Sequence, residues 1–400
     1  MTTPKPRLRV GLVVPHIFMH RDILPRVIFS PGELALQLTA DLEHIGAKVT
    51  LFTPGPVDTA VPNVTADLSG FEAELTARGD TYLDLIKKHP LTFTTLARQV
   101  QAELISHAYE MANRDELDVV HIYTNEEELA CTFAHLCTKP VVFTHHDPFN
   151  FLIKYRSVFP KYKHLNWLSM SYAQRSTMPT DTNWRGNIYH GLPADRLRPV
   201  LSPSRDYLAY LGRIIEPKGV HLAIEAVRQY NQSAARPLTL RIAGKHYTGS
   251  GKDSYWQSRI VPNLGDHIEY VGFIDSPDAK RGFLGNAAAL IVPSTFYEPF
   301  GMVSIEALAC ATPVIGLNIG ATPEVITSGT TGIICEAAYT TIDGKQRIDD
   351  TTTANHIARA LTMIKDIDPA ACRHAFTERF DSKRMAEQHL EVYRELIAGA

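Results

Sequence analysis

The stretch STFYEPFGMVSIEALACATPVIG, residues 294–316, places two carboxylates at a defined spacing between two apolar runs. Glu298 precedes a Pro-Phe-Gly turn, and Glu306 lies inside the helix that we predict to begin near Met302. The first turn of a helix has unpaired backbone N–H groups, so it attracts phosphate or a polar sugar. The pattern therefore favours a strand, a ligand-binding turn and a helix, which together are one unit of an α/β fold.

Strand-like and helix-like segments alternate along the whole chain. The predicted strands are 9–14, 48–52, 119–123, 140–144, 206–211, 238–243, 267–271, 288–292, 312–316 and 332–335. The predicted helices include 32–45, 91–112, 219–229, 304–310 and 354–364. This alternation is typical of parallel sheets covered by helices on both faces. The sequence thus predicts an α/β protein with two doubly wound, Rossmann-like domains.

The domain boundary is predicted in the proline-containing, aperiodic stretch RPVLSPSR, residues 198–205. We assign residues 1–198 to an N-terminal domain and residues 199–380 to a C-terminal domain. Residues 381–400 have the periodicity of an amphipathic helix, which we expect to pack back on the N-terminal domain. The Thr- and Asp-rich stretch 339–353 is interpreted as a surface loop.

Composition excludes several classes of protein. The chain has 40 basic and 43 acidic residues and a formal charge of −3, which argues against nucleic acid as a partner. Five cysteines without a paired spacing fit a reducing compartment. The apolar run VGLVV is too short for a signal peptide or a transmembrane segment. We expect a cytoplasmic protein, with peripheral attachment to a membrane left open.

A second cluster of charges lies in YLGRIIEPKGVHLAIEAV, residues 210–227. Arg213 and Lys218 lie between a predicted strand and a helix, at the sheet edge where ligands of α/β folds bind. There they would neutralise a diphosphate leaving group. Alternatively, both cations are solvated loop charges. The two glutamates also have an alternative interpretation without a ligand, in which Glu298 caps the helix and Glu306 is an exposed helical residue.

The order of these motifs resembles one known family. The second half of the chain resembles the family 4 retaining glycosyltransferases. The resemblance is carried by five motifs in order: GRIIEPKG, RIAGK (241–245), YVGF (270–273), the stretch 294–316 and GATPEVI (320–326). Glu298 and Glu306 match the E-x7-E signature of that family. The resemblance covers the second half of the chain and implies the GT-B fold, in which two Rossmann-like domains face a central cleft. It also implies that residues 1–198 bind the acceptor and that residues 199–380 bind the nucleotide-sugar donor.

The resemblance also implies roles for single residues. Arg213 and Lys218 would bind the donor diphosphate, Glu306 the ribose hydroxyls, and Glu298 the donor sugar. The remaining donor-binding residues that it implies are Gly244, Phe300, Gly301, Met302 and Val303, which would act largely through their backbone.

The N-terminal domain matches the family less closely. Relatives carry a Gly-Gly turn before a glutamate; here Gly32 is retained as a donor-binding residue, while Pro31 removes one N–H group. His146, after the strand PVVFT, occupies the position of a family histidine that meets the donor sugar or the reaction centre. The alternatives are a core histidine, or a metal site with His145 and Asp147. Neighbouring strand side chains point to opposite faces, which disfavours the metal site.

The resemblance implies transfer of a hexosyl unit from a nucleotide sugar to a hydroxyl acceptor with retention. The expected catalytic residues are His146, Glu298, Arg213 and Lys218, with no metal and no other cofactor. A UDP-sugar is the favoured donor, with GDP- and ADP-sugars as alternatives. The acceptor stays open between a small glycoside, a lipid-linked molecule and a glycan; it would be held by loop 16–32. The rival functions are a sugar-nucleotide epimerase or hydrolase on the same frame, and a non-catalytic sugar-nucleotide binding protein.

Overall fold

The computed structural model describes residues 7–124, 126–246 and 254–399, which form two compact units. Unit 1 comprises Met1–His190 and Ser382–Ala400, and unit 2 comprises Gly191–Asp381. Residues 191–198, which the sequence assigned to the first domain, belong to unit 2. This segment is attached to unit 2 by Arg373, whose guanidinium donates hydrogen bonds to the carbonyl oxygens of Ala194 and Leu197 at 2.7 and 2.9 Å.

Unit 1 is built on a parallel sheet of seven strands within the described residues, in the order β3-β2-β1-β4-β5-β6-β7. The strands are β1 (Arg9–Val13), β2 (Lys48–Thr53), β3 (Asn63–Thr65), β4 (Val119–Tyr123), β5 (Val141–Thr144), β6 (Asn166–Ser169) and β7 (Trp184–Asn187). Its helices include α1 (Ser30–His44), α2 (Ser69–Arg78), α3 (Tyr82–Lys88), α4 (Pro90–Asn113), α5 (Glu128–Phe133), α6 (Ile153–Val158) and α7 (Tyr172–Arg175).

Unit 2 repeats this plan with six parallel strands in its described part, in the order β10-β9-β8-β11-β12-β13. These are β8 (Tyr207–Leu211), β9 (Thr239–Ala243), β10 (Ile268–Gly272), β11 (Ala287–Val292), β12 (Val314–Leu317) and β13 (Gly332–Cys335). The helices are α8 (Val220–Asn231), α9 (Pro277–Gly285), α10 (Met302–Ala309), α11 (Thr322–Val325), α12 (Asp350–Met363) and α13 (Pro369–Arg379).

The two sheets confirm the predicted doubly wound α/β architecture. Central strands such as β1 and β4 are nearly continuous apolar runs because helices cover both of their faces. In each sheet the strand order reverses once, between β1 and β4 in unit 1 and between β8 and β11 in unit 2. The carboxyl ends of the strands flanking such a reversal are where doubly wound folds bind ligands.

The C-terminal helix α14 (Ser382–Ala398) belongs to unit 1, where it packs against α1. Its apolar face is buried, including Met385, Leu390 and Leu396. Tyr393 reaches into the core of unit 1, where its hydroxyl lies 2.7 Å from Nδ1 of His121. The amphipathic periodicity of residues 381–400 thus corresponds to a helix whose apolar face packs on unit 1.

The interpretation of residues 339–353 as a surface loop is wrong. They contain an antiparallel hairpin, β14 (Tyr339–Ile342) and β15 (Lys345–Ile348), and the start of α12 at Asp350. Asp343 and Gly344 form its two-residue turn, and both have positive φ, as a type I′ turn requires. Asp349 caps α12 by accepting a hydrogen bond from the Thr352 amide.

Candidate donor-binding site in unit 2

The loops after β8 and β11 are held together at the strand-order reversal of unit 2. The carbonyl oxygen of Pro217 accepts hydrogen bonds from the amides of Thr295 and Phe296 at 2.9 and 3.1 Å. Gly219 has φ +70°, and a Cβ on it would lie 2.0 Å from the Pro293 carbonyl oxygen. Only glycine allows this approach, so the segment carrying Lys218 lies directly against the quoted stretch.

Lys218 and Glu298 form an ion pair in this site. The Glu298 carboxylate, whose side chain is 12% exposed, also lies within hydrogen-bond distance of the Ser294 hydroxyl, at 3.1 Å. The Lys218 ammonium lies 5.9 Å from the centre of the Phe296 ring. A mostly buried carboxylate is therefore held by one cation and one hydroxyl at the expected ligand-binding edge.

The backbone of Glu298 is fixed by the loop after β12. The Ala321 amide donates to the Glu298 carbonyl oxygen at 2.9 Å. Gly320 has φ +61°, and a Cβ there would lie 2.4 Å from the Glu298 carbonyl oxygen and 2.6 Å from its nitrogen. Three loops of unit 2 thus set the position of this carboxylate.

The second carboxylate lies on α10, which begins at Met302 after the cap residue Gly301. Phe300 is buried below this turn, and the cap has no side-chain hydrogen bond. Glu306, also 12% exposed, accepts a hydrogen bond from the Lys280 ammonium at 2.7 Å. Val303 lies with Met302 in the first turn, where backbone N–H groups point out of the helix.

Arg213 and Gly244 lie at the ends of β8 and β9. Arg213 is exposed, and within the described residues its guanidinium has no hydrogen bond or ion pair. Its carbonyl oxygen accepts from the Tyr210 hydroxyl at 2.8 Å; burial raises the pKa of Tyr210, which keeps that hydroxyl a donor. Gly244 donates to the Gly272 carbonyl oxygen and accepts from the Tyr270 hydroxyl at 2.9 and 3.0 Å.

His146 lies in unit 1 after β5 and is buried. Its ring stacks on His190 with centroids 5.1 Å apart and contacts the edge of Tyr123 at 4.5 Å. Burial, with the neighbouring imidazoles as a smaller cause, holds the pKa of His146 well below its usual value. The imidazole is therefore neutral at physiological pH.

His145 points away from His146, into an aromatic core. Its Nδ1 lies 2.9 Å from a carboxylate oxygen of Glu127, and both side chains are fully buried. Burial lowers the pKa of His145 to about 4 and raises that of Glu127 well above its usual value. The described part of the chain contains no cluster of three or more His, Cys, Asp or Glu side chains suited to a metal ion.

The structure places Gly32 in the first turn of α1, where its amide donates to the Phe29 carbonyl oxygen at 3.1 Å. In loop 16–32, Arg21 is anchored by its amide to Pro56. His16 in the same loop stacks on Phe29 at 4.5 Å, and burial lowers its pKa to about 4.

Sequence reasoning missed four residues of these two units that hold the predicted ones in place. They are Lys280, Ser294, Gly320 and His190. Ser294 and Gly320 lie inside the motifs quoted above. Ser294 is only four residues before Glu298, and this short distance in sequence is a signal that indicates contact. Lys280 and His190 become neighbours of Glu306 and His146 only through packing, which leaves no local signal.

Part of the chain is similar in sequence to known proteins. Residues 195–355 match the family described as glycosyl transferases group 1. The chain is 31% identical over 199 residues to glycogen synthase of Mycobacterium tuberculosis, covering 49% of this chain and 44% of that protein. It is 29% identical over 201 residues to D-inositol 3-phosphate glycosyltransferase of Paenarthrobacter aurescens, covering 49% and 46%. The chain thus spans about half the length of the curated relatives it matches.

Solved structures match over nearly the whole chain. Sucrose-phosphate synthase from Thermosynechococcus elongatus has a TM-score of 0.69 at 18% identity, covering 98% of this chain and 100% of that one. HepE of Anabaena, solved with UDP and glucose, has a TM-score of 0.65 at 15% identity, covering 97% and 100%. No helix in the described ranges is long and apolar enough to cross a membrane. Residues 195–355 therefore match the glycosyl transferases group 1 family, and the chain has the GT-B fold, which it shares with these solved structures.

Proposed function

We propose that this chain is a retaining glycosyltransferase that moves a hexosyl unit from a nucleotide sugar to a hydroxyl acceptor. The observation that carries the proposal is the pair of lysine-bound carboxylates, Glu298 and Glu306, at the strand-order reversal of unit 2. Carboxylates accept hydrogen bonds from vicinal hydroxyls, and the neighbouring cations and helix start suit phosphate. Few ligands other than a nucleotide sugar require both.

Lys218 would change partner when donor binds. In the structure its ammonium pairs with Glu298. A diphosphate carries more charge than one carboxylate, so we expect it to draw the ammonium away and free Glu298 for the sugar hydroxyls. Glu306 keeps one oxygen on Lys280 and offers the other to the ribose.

In the transfer step, charge develops on the departing phosphate oxygen. Arg213, whose guanidinium is exposed, and Lys218 would stabilise that charge together with the first-turn amides of α10. The phosphate oxygen would accept the proton of the attacking hydroxyl on the same face of the sugar, which gives retention without a protein nucleophile. His146 keeps the role at the donor sugar that the family resemblance implies.

A UDP-sugar is the favoured donor, because the structural relative HepE was solved with UDP and glucose. Since two cations are available for the diphosphate, we expect transfer to persist when divalent metals are chelated. The acceptor is a hydroxyl compound.

The test compares Glu306→Gln with Glu225→Gln. Glu225 lies on α8 and accepts a hydrogen bond from Gln229 at 2.9 Å, so it is a helical glutamate outside the site. Thermal shift with UDP, GDP and ADP would identify the nucleotide, and transfer would be measured with the matching sugar. Glu306→Gln should weaken donor binding at least tenfold, as expected for a lost hydrogen bond to a charged group. Equal donor binding by both variants contradicts the proposal, and release of free sugar without acceptor indicates a hydrolase.

A further inference from the structure

Three consecutive large apolar side chains are exposed on unit 1, after β5. Phe151, Leu152 and Ile153, which we call the apolar tip, are 52%, 39% and 76% exposed. The flanking Phe149 and Tyr155 are buried. Single exposed apolar residues are ordinary, but a run of three marks a surface meant for contact.

The tip is held in place rather than loosely attached. His145 packs against the rings of Phe149, Tyr155 and Phe159 at 4.9, 4.5 and 4.8 Å, so both sides of the tip are anchored in the core. The Phe151 amide donates to the Pro148 carbonyl oxygen at 3.0 Å and closes a turn. The three side chains are therefore held at the surface by a rigid base, with Ile153 the most exposed of them.

The surrounding charge is positive. Residues 149–163 contain four basic and no acidic side chains. Lys154 neutralises Glu128 and Glu126, with N–O distances of 2.9 and 3.6 Å. Arg156 and Lys161 are exposed and have no ion pair within the described residues. An apolar projection beside two available cations complements an anionic bilayer surface, which accepts apolar side chains below its headgroups and attracts lysine and arginine.

We propose that the apolar tip docks unit 1 on an anionic lipid surface, with Arg156 and Lys161 contacting the headgroups. The tip follows the carboxyl end of β5 and His146, so docking brings the ligand-binding edge of the unit 1 sheet to the lipid. In combination with the proposed function, this selects a lipid-linked acceptor. The docking itself does not depend on the transfer reaction.

The experiment measures co-sedimentation of the full chain with vesicles. The lipids are phosphatidylcholine alone, and phosphatidylcholine with about one third phosphatidylglycerol. We expect binding to the anionic vesicles that weakens at high salt. Phe151→Ser with Ile153→Ser should lower the partition coefficient by at least about tenfold, and Arg156→Gln with Lys161→Gln by about tenfold.

Leu91→Ser is the matched control, since Leu91 is also in unit 1 and is 82% exposed but lies on α4. This control should bind vesicles like the unchanged protein. The variants alter exposed side chains, so circular dichroism and the UDP thermal shift should stay unchanged. Loss of the UDP shift in all proteins would count against the proposed function alone.

The docking proposal is overturned if the unchanged protein stays in the supernatant with anionic vesicles. It is equally overturned if the tip variant sediments as the unchanged protein does. A tip variant that alters only oligomeric state, or only the KM for a soluble acceptor, would assign the tip to a protein partner or to the acceptor instead.

Discussion

Acid should destabilise unit 1 strongly, because its sheet edge and the adjoining α14 bury several neutral histidines. His389 on α14 is buried, its Nδ1 donates to the Met385 carbonyl oxygen at 2.8 Å, and burial lowers its pKa from 6.5 to about 4. His190 is also buried, and burial lowers its pKa to about 3. Each of these imidazoles would have to take up a proton without water around it.

The pKa values give the direction and the size of the change in the free energy of unfolding with pH. The unfolded chain binds the proton more readily than the folded one, so the stabilising contribution of His389 is complete above pH 6.5 and is lost as pH falls toward 4. At about pH 5 the loss from this one residue is about 2 kcal/mol, since one pKa unit corresponds to 1.36 kcal/mol. Burial also raises the pKa values of Glu126 and Glu127, and these act in the opposite direction, because their neutral forms are favoured in the folded state. Several histidines oppose these two carboxyls, so the net effect is loss of stability in acid.

The assay is urea unfolding at about pH 7.5 and about pH 5, followed by tryptophan fluorescence. Two of the three tryptophans, Trp167 and Trp184, lie in unit 1, so Trp256→Phe makes the signal report that unit. His389→Gln removes one titrating group and should be less stable at neutral pH. We expect its deficit to shrink by about 2 kcal/mol at the lower pH.

The exposed His135 provides the control, as His135→Gln should differ from the parent by the same small amount at both pH values. A His389→Gln deficit that is equal at the two pH values would refute the argument that burial suppresses protonation of this imidazole.

Three further predictions concern the candidate site in unit 2. Lys280→Met removes the ammonium that orients the α10 carboxylate, so the donor KM should rise about fivefold with kcat nearly kept, and Lys280→Arg should restore it. Gly320→Ala should cost about 2 kcal/mol more stability than Gly329→Ala in urea unfolding and should also weaken donor binding, since both glycines have positive φ but only at Gly320 would a Cβ meet the Glu298 backbone. Arg213→Ala should lower turnover far more than it raises the acceptor KM in steady-state transfer assays; equal losses would mean a structural role.

Local sequence patterns predicted the central strands well because those strands are apolar on both faces. The central strand Val119–Tyr123, which is buried throughout, was predicted with its observed bounds, and so was the edge strand Gly332–Cys335. The short strands β6 (NWLS) and β7 (WRGN) were not predicted, because they are polar or glycine-containing and are fixed by neighbours rather than by their own hydrophobicity. The hairpin had a usable signal in the Asp343-Gly344 dipeptide, which directly follows the β-branched run 340–342, but the Thr-rich composition favoured a loop instead.

The contacts of the candidate site also include some that the sequence predicts and some that it does not. Lys218 and Glu298 could be brought together from sequence alone, because each follows a strand flanking the point where the strand order reverses, and such loops meet at one edge. Lys280 could not, since it reaches Glu306 only through the packing of α9 on α10, and a helical lysine looks the same whether it faces solvent or a carboxylate. A positioning contact of this kind is set by helix orientation, so it is visible only in three dimensions.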